Sequence, residues 1–175
     1  MAIIEFLLVA LPLFLLGVGV IEVTRWAVAR QAISYALFEA ARTGAITGGD
    51  SRAIQLAFER ALIPLLGQGE TDLALGHDAV RTRLAGFQKR WGVDGYRLVR
   101  VPPQPESRAG GVRPDESILV LDLTYLHAPL FPGIQQVLKR VVLPSGNDGY
   151  TDAGRQAGLV VIRRDMAMPI QKQKE

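Results

Sequence analysis

A carboxylate inside an apolar run, two separated histidines, a few hydroxyls and one oxygen-rich turn are the side chains here that could do chemistry. Glu5 is the single ionisable side chain between Met1 and Ile21. Held near the end of a membrane helix, a carboxylate costs on the order of a few kcal/mol unless it reaches water or a positive partner. Two readings follow: Glu5 sits at the interface and reaches water, or it pairs with an α-amino terminus, its own or a neighbour's. His77 and His127 are fifty residues apart, without metal-ligand spacing, and His127 is read as structural. Ser107, Ser117 and Ser145 lie in no G-x-S-x-G elbow, and Gly110-Gly111 is too short to cradle a phosphate. Asn147, Asp148 and Asp152 bring oxygen ligands close together and are weak calcium candidates. They lack the glutamate that closes an EF-hand loop, so a plain turn is the expectation and no metal is assigned. The pattern predicts no catalytic residue, no cofactor and no enzyme.

The element that positions Glu5 is AIIEFLLVALPLFLLGVGVI, Ala2 to Ile21. About 20 residues at 1.5 Å each span roughly 30 Å, the hydrocarbon thickness of a bilayer. A helix lets a single segment satisfy its own backbone there, and Pro12 is tolerated in such a helix. A cleaved signal would carry a basic start and an A-x-A site, and a buried soluble helix would have a polar face; neither feature is present. Residues 1–23 are therefore read as a transmembrane helix. Arg25 and Arg30 follow it, so the positive-inside rule applied to these residues alone would put the following domain in the cytoplasm.

The helix continues amphipathically over 24–44, with Trp26, Ala29, Ile33, Leu37 and Ala40 at three- and four-residue spacing and Gly44 placed to end it. That stripe packs either on sister subunits or, the reading favoured here, on the chain's own domain. Residues 45–170 are read as that domain. Asp50-Ser51 caps a helix carrying Ile54, Phe58, Ala61 and Leu62, which Pro64 and Gly67 end. Asp78 is expected to cap another, with Val80, Leu84, Phe87 and Trp91 on one face. Strands are expected at Tyr96–Val101, Ser117–His127 and Ala157–Met168, with an exposed loop over Pro102–Pro114 and a short helix from Pro132. Ser145–Gly149 reads as a turn, and 171–175 as a polar tail. The fold class expected is α+β: a long N-terminal transmembrane helix running into two or three further helices and a short antiparallel sheet.

The formal charge of +3 over 175 residues, with Lys and Arg scattered, gives no ground for a nucleic-acid partner, and at most a mild preference for anionic lipid headgroups. There are no cysteines, so disulfides, zinc–thiolate sites and cysteine nucleophiles are excluded.

Ile4-Glu5-Phe6-Leu7-Leu8-Val9, then Leu11-Pro12, then Glu22, then Phe38-Glu39-Ala40-Ala41-Arg42-Thr43-Gly44-Ala45, together resemble the start of the TadE-like proteins, pilin-like components of the tight-adherence pilus system. Ala167-Met168-Pro169-Ile170-Gln171 resembles that family's final strand. The resemblance implies a basic leader ahead of Met1, removed at a glycine by a prepilin peptidase, which reverses the orientation argument. It also implies a bacterial inner-membrane location with a periplasmic C-terminal domain. Glu5, Phe6 and Glu22 become the expected subunit-assembly residues, and Trp26, Ile33, Leu37 and Ala40 the packing face. The implied partners are the membrane, other pilin-like subunits and the pilus assembly machinery. Size favours a minor pilin or pseudopilin over the short major subunit; the alternative is a membrane-anchored scaffold of the same machine that stays out of the filament.

Overall fold

The computed structural model describes residues 2–67, 72–101, 118–141 and 148–170. The expected loop at Pro102–Pro114, most of the turn around Ser145 and the tail 171–175 lie outside them. Helix α1 runs from Ala2 to Ile46, 45 residues, with Pro12 inside it. It continues two residues past Gly44, where it was expected to end. The left-handed stop is supplied instead by Gly48 and Gly49, at φ 67° and 87°, and the Gly49 N–H donates to the Gly44 carbonyl at 2.7 Å. Gly44 has a different task. A Cβ there would lie 2.6 Å from Leu119 and 2.8 Å from Ile54, so its bare backbone lets the helix close onto the sheet.

Helix α2 (Ser51–Ala61) is capped by the Asp50 carboxylate, which accepts from the Arg52 N–H at 3.0 Å. Pro64 does not simply end it. The proline falls in the first turn of a short α3 (Ile63–Leu66), where its missing N–H leaves no bond unmade. Helix α4 spans Leu73–Trp91, and its cap is Asp72, accepting from Ala74 N–H at 2.8 Å, so Asp78 is an exposed residue inside the helix. The expected cap at Asp78 came six residues too late, inside a helix that already contains Gly76. It is buried, and a Cβ on it would stand 2.8 Å from Ile63, so the glycine serves a helix crossing.

Strands β1 (Tyr96–Val101), β2 (Ile118–His127) and β3 (Val160–Pro169) form an antiparallel sheet in the order β1-β2-β3. The register sets Leu98 opposite Leu123 and Tyr125 opposite Ile162, so one face collects Leu119, Leu121, Leu123 and Tyr125. Against that face pack Ala29, Ile33, Ala36, Leu37, Ala40 and Ala41 of α1, with Ile54 and Phe58 of α2 and Val80 of α4. The alanines matter: small side chains on the helix let the Leu side chains of β2 approach its backbone. Arg164 on β3 donates to the Ser34 hydroxyl at 3.3 Å, a further tie from sheet to helix.

Helix α5 (Pro132–Val141) follows β2, and α6 (Gly149–Gln156) covers the opposite face, where Gly154 sits against Leu126. A helix at α6 was not expected. Its eight residues are polar and glycine-containing, and contact with the sheet rather than intrinsic propensity holds it. The architecture is α+β with one helix apolar and long enough to cross a membrane among the described residues.

Candidate functional site

Two environments divide α1. From Ile3 to Leu16 nearly every side chain is exposed: Phe6 is 70% exposed and Leu16 65%. From Ala29 onward the inward side chains vanish into the core, Ile33 and Ala40 at 0% and Leu37 at 1%. Exposed side chains this apolar, on every face of a helix of membrane length, belong in lipid. Glu5 lies in the first turn, on that exposed part, with Phe6 beside it. A carboxylate at a helix N-terminus also answers the positive end of the helix dipole.

Glu22 stands where the two environments meet. Its Oε2 accepts from the Leu130 backbone N–H at 3.0 Å and lies 4.0 Å from the Arg25 guanidinium. Its Oε1 lies 3.9 Å from His127 Nε2. The carboxylate thus fastens α1 to the segment between β2 and α5, within this one chain. Trp26, one turn further on, is half-buried against the core, with the Arg30 guanidinium 5.5 Å from its ring. Ile33, Leu37 and Ala40 pack on the chain's own sheet and helices. Sequence reasoning grouped Glu5, Phe6 and Glu22. The structure separates them, with Glu5 and Phe6 at the far end of the exposed half and Glu22 tied into the domain.

His127 is buried, and its Nε2 has no hydrogen-bond partner. Burial, reinforced by Arg25, pushes its pKa below the ordinary 6.5, while Glu22 pulls weakly the other way. A neutral imidazole therefore sits against the clasp.

A second polar cluster escaped the sequence reading. Glu59 is buried on α2 and accepts from the Tyr96 hydroxyl at 2.9 Å, Gln55 Nε2 at 3.2 Å and Arg81 Nε at 3.3 Å, with His77 Nε2 at 3.1 Å. Burial alone would raise its carboxyl pKa. The hydrogen bonds from Tyr96, Arg81 and Gln55, together with the Arg81 charge, outweigh that and hold it below the ordinary 4.5. The signal was present: Glu59 follows Phe58 and stands one turn after Gln55, at the edge of the apolar stripe. The cluster joins α2, α4 and β1, and its donors leave the carboxylate committed to structure.

Asp148 is likewise committed. It caps α6, accepting from Tyr150 N–H at 3.3 Å, and its oxygens meet Arg97 at 3.1 Å and Arg163 at 3.6 Å. Asp152 pairs with Arg155 at 3.6 Å, and Asn147 lies outside the described residues. A carboxylate bracketed by two guanidinium groups is a poor cation ligand. Among the described residues no three ligating side chains converge.

Residues 1–42 match the model of the family described as TadE-like protein. The match ends within α1, so it takes in the exposed half and most of the buried half and none of the sheet. Comparison with curated proteins gives no match, and comparison with solved structures gives none.

Proposed function

We propose that this chain is a pilin-like subunit, of the minor pilin or pseudopilin type, that acts in assembly of a tight-adherence pilus and is anchored by α1 in the bacterial inner membrane. The observation that carries this reading is the division of α1, together with the family match over 1–42. Its apolar first half packs against nothing among the described residues, and a single carboxylate stands at the tip. Such a helix rests in lipid as a monomer, and in a filament it exchanges lipid for the same half of neighbouring subunits. Glu5 then meets the α-amino group of a neighbour's first residue, a pair that is favourable only in the correct register. The domain projects on the periplasmic side. Because Ile33, Leu37 and Ala40 are already used by the chain's own core, subunit packing through α1 falls to its first half and to outward residues further on, such as Tyr35 and Phe38. The activity is assembly and binding, with no catalysed reaction.

The test is to tag the C-terminus, shear the cells and compare tag in released filaments with tag left in the inner membrane. Tag is expected in filaments, and Glu5→Ala is expected to abolish it there while leaving membrane levels unchanged. Tag confined to the membrane, beside normal filaments, would replace this reading with that of a membrane-retained scaffold.

A further inference from the structure

Beside the point where α1 leaves the bilayer there is a cavity of about 650 Å³ between α1, α4 and the end of β2. We propose that it is a binding site for an anionic glycerophospholipid of the surrounding leaflet. The proposal rests on the reading of α1 as a membrane span and adds a ligand to it.

Depth comes first. A span opening at Ile3 uses up about 30 Å of hydrocarbon by Glu22, and the headgroup layer beyond is about 5–7 Å, the rise of four or five helical residues. Thr24 and Arg25 line the cavity and fall within that layer, and Val28 lines it about one turn further from the hydrocarbon. The domain cannot ride away from it, because α1 is continuous and the Glu22 carboxylate holds the Leu130 N–H at 3.0 Å. That clasp presses the exposed Leu130 side chain to the same level.

Chemistry comes second. Arg25, Arg83 and Arg90 line the cavity, and among the described residues lining it none carries a carboxylate. Glu22 does not line the cavity; its Oε2 accepts from the Leu130 N–H and lies 4.0 Å from the Arg25 guanidinium. The cavity between α2, α4 and β1 differs, since Glu59 and Asp94 line it beside its arginines. Arginine forks match phosphate oxygens, and their side chains at the surface of a bilayer draw anionic lipids. Phe87 and Trp91 of α4 and Val28 of α1 complete the walls. Arg90 lies with its guanidinium 5.3 Å from the Trp91 ring, an amphipathic pair of the kind that sits at the boundary between headgroups and acyl chains. A phosphate at the arginines thus places the glycerol backbone and the start of the acyl chains against apolar walls. A soluble anion would leave those walls unfilled.

The full chain, held in neutral detergent, is titrated with phosphatidylglycerol or phosphatidylcholine, and bound lipid is counted by native mass spectrometry. Phosphatidylglycerol is expected to be retained preferentially. The double variant Arg25→Gln/Arg90→Gln is expected to lose about 25-fold in affinity, about fivefold per arginine near the lipid surface. Arg60→Gln, an exposed arginine on α2, is expected to bind as the parent does. Should the double variant melt early, Arg90→Gln alone decides, since Arg90 holds no part of the core. Equal retention of both lipids, or undiminished binding by the variants, would overturn the site. Displacement of phosphatidylglycerol by glycerol 3-phosphate at equal concentration would overturn it too, in favour of a soluble phosphate. Release of the chain from membranes by carbonate would instead sink the reading of α1 as a span, an outcome separate from any of these.

Discussion

The two halves of α1 share one continuous helical backbone, yet they answer to different solvents. Before Glu22, side chains such as Phe6 and Leu8 point outward on all sides. After Ala29, the side chains facing the sheet are largely alanine, with Ile33 and Leu37 interleaved. Both halves are helical, so hydrogen bonding does not distinguish them; side-chain size does. The lipid-facing half carries large residues all round, because lipid accommodates any shape. The core-facing half carries small ones wherever β2 must come close, because a packed interior accommodates only complementary shapes. A single helix can thus serve a membrane and a globular core when the size pattern changes along it together with the charge: Glu5 is the single ionisable side chain before Glu22, whereas Arg25, Arg30, Glu39 and Arg42 follow.

The strongest way to break that comparison is to delete the same atoms in each half. Leu37→Ala empties a fully buried site and is expected to cost the domain about 2–5 kcal/mol. Leu8→Ala, on the exposed half, is expected to leave the domain's unfolding midpoint unchanged. Denaturant unfolding of the full chain in detergent, followed by the fluorescence of Trp26 and Trp91, reads both. Equal shifts would mean that the exposed half also carries the domain's stability.

Glycines sharpen it. Gly44→Ala drives a methyl to 2.6 Å from Leu119 and 2.8 Å from Ile54, an overpacking expected to cost about 1–3 kcal/mol. At Gly17 and Gly19 an added Cβ meets nothing within 4 Å. Alanine there is expected to be neutral for the domain and to favour the helix by about 0.5–1 kcal/mol. A destabilised Gly17→Ala domain would contradict the division of α1.

A third test contrasts the apolar core with the buried carboxylate cluster around Glu59. Glu59 has a pKa held below 4.5, so its contribution is fully present above that value and is lost as pH falls through the lowered pKa. Glu59→Gln is expected to cost about 2 kcal/mol at neutral pH, since bonds to a charged acceptor are replaced by weaker ones. It is also expected to flatten the acid limb of the stability profile. An acid limb of unchanged slope in the variant would show that Glu59 is not the group that titrates.

How much of this was legible in the sequence follows from which interactions are local. The lipid half of α1 is a composition signal, and the alternation Leu119-Leu121-Leu123-Tyr125 declares β2 by itself. The end of α1 was misplaced because Gly44 looks like a stop along the chain and is instead a contact point with Leu119 on a distant strand. The start of α4 was misplaced because Asp72 and Asp78 are both cap-type residues, and only the fold shows Asp72 accepting from the Ala74 N–H. Helix α6 stayed hidden because its apolar stripe is short and Gly154 belongs to the packing on Leu126. Glu59, Tyr96, His77 and Arg81 come from three elements, and no spacing along one element joins them. Asp148 drew attention for its oxygen-rich neighbours, whereas its partners Arg97 and Arg163 come from two different strands. Glu22 was legible as a motif residue, but its hold on Leu130 bridges more than a hundred positions and appears only in the fold.

The smallest effect probes the junction itself. Glu22→Gln keeps a carbonyl oxygen that can accept from Leu130 N–H, so the loss in stability is expected to be about 1 kcal/mol or less. The charge is what the substitution removes, and His127 reports it. With Glu22 ionised, the carboxylate 3.9 Å away favours imidazolium, against the stronger opposing pull of burial and Arg25. Removing that charge is expected to lower the His127 pKa further below 6.5, observable by its imidazole resonances across a pH titration. The sign for stability follows. A histidine whose folded pKa is depressed contributes stability that is complete above 6.5 and is lost as pH falls through the folded value. In the Gln variant that window therefore extends to lower pH, and the domain should lose more stability on acidification than the parent does. A His127 titration unmoved by Glu22→Gln would mean that the clasp holds α1 through the Leu130 hydrogen bond alone, with the imidazole electrically isolated from it.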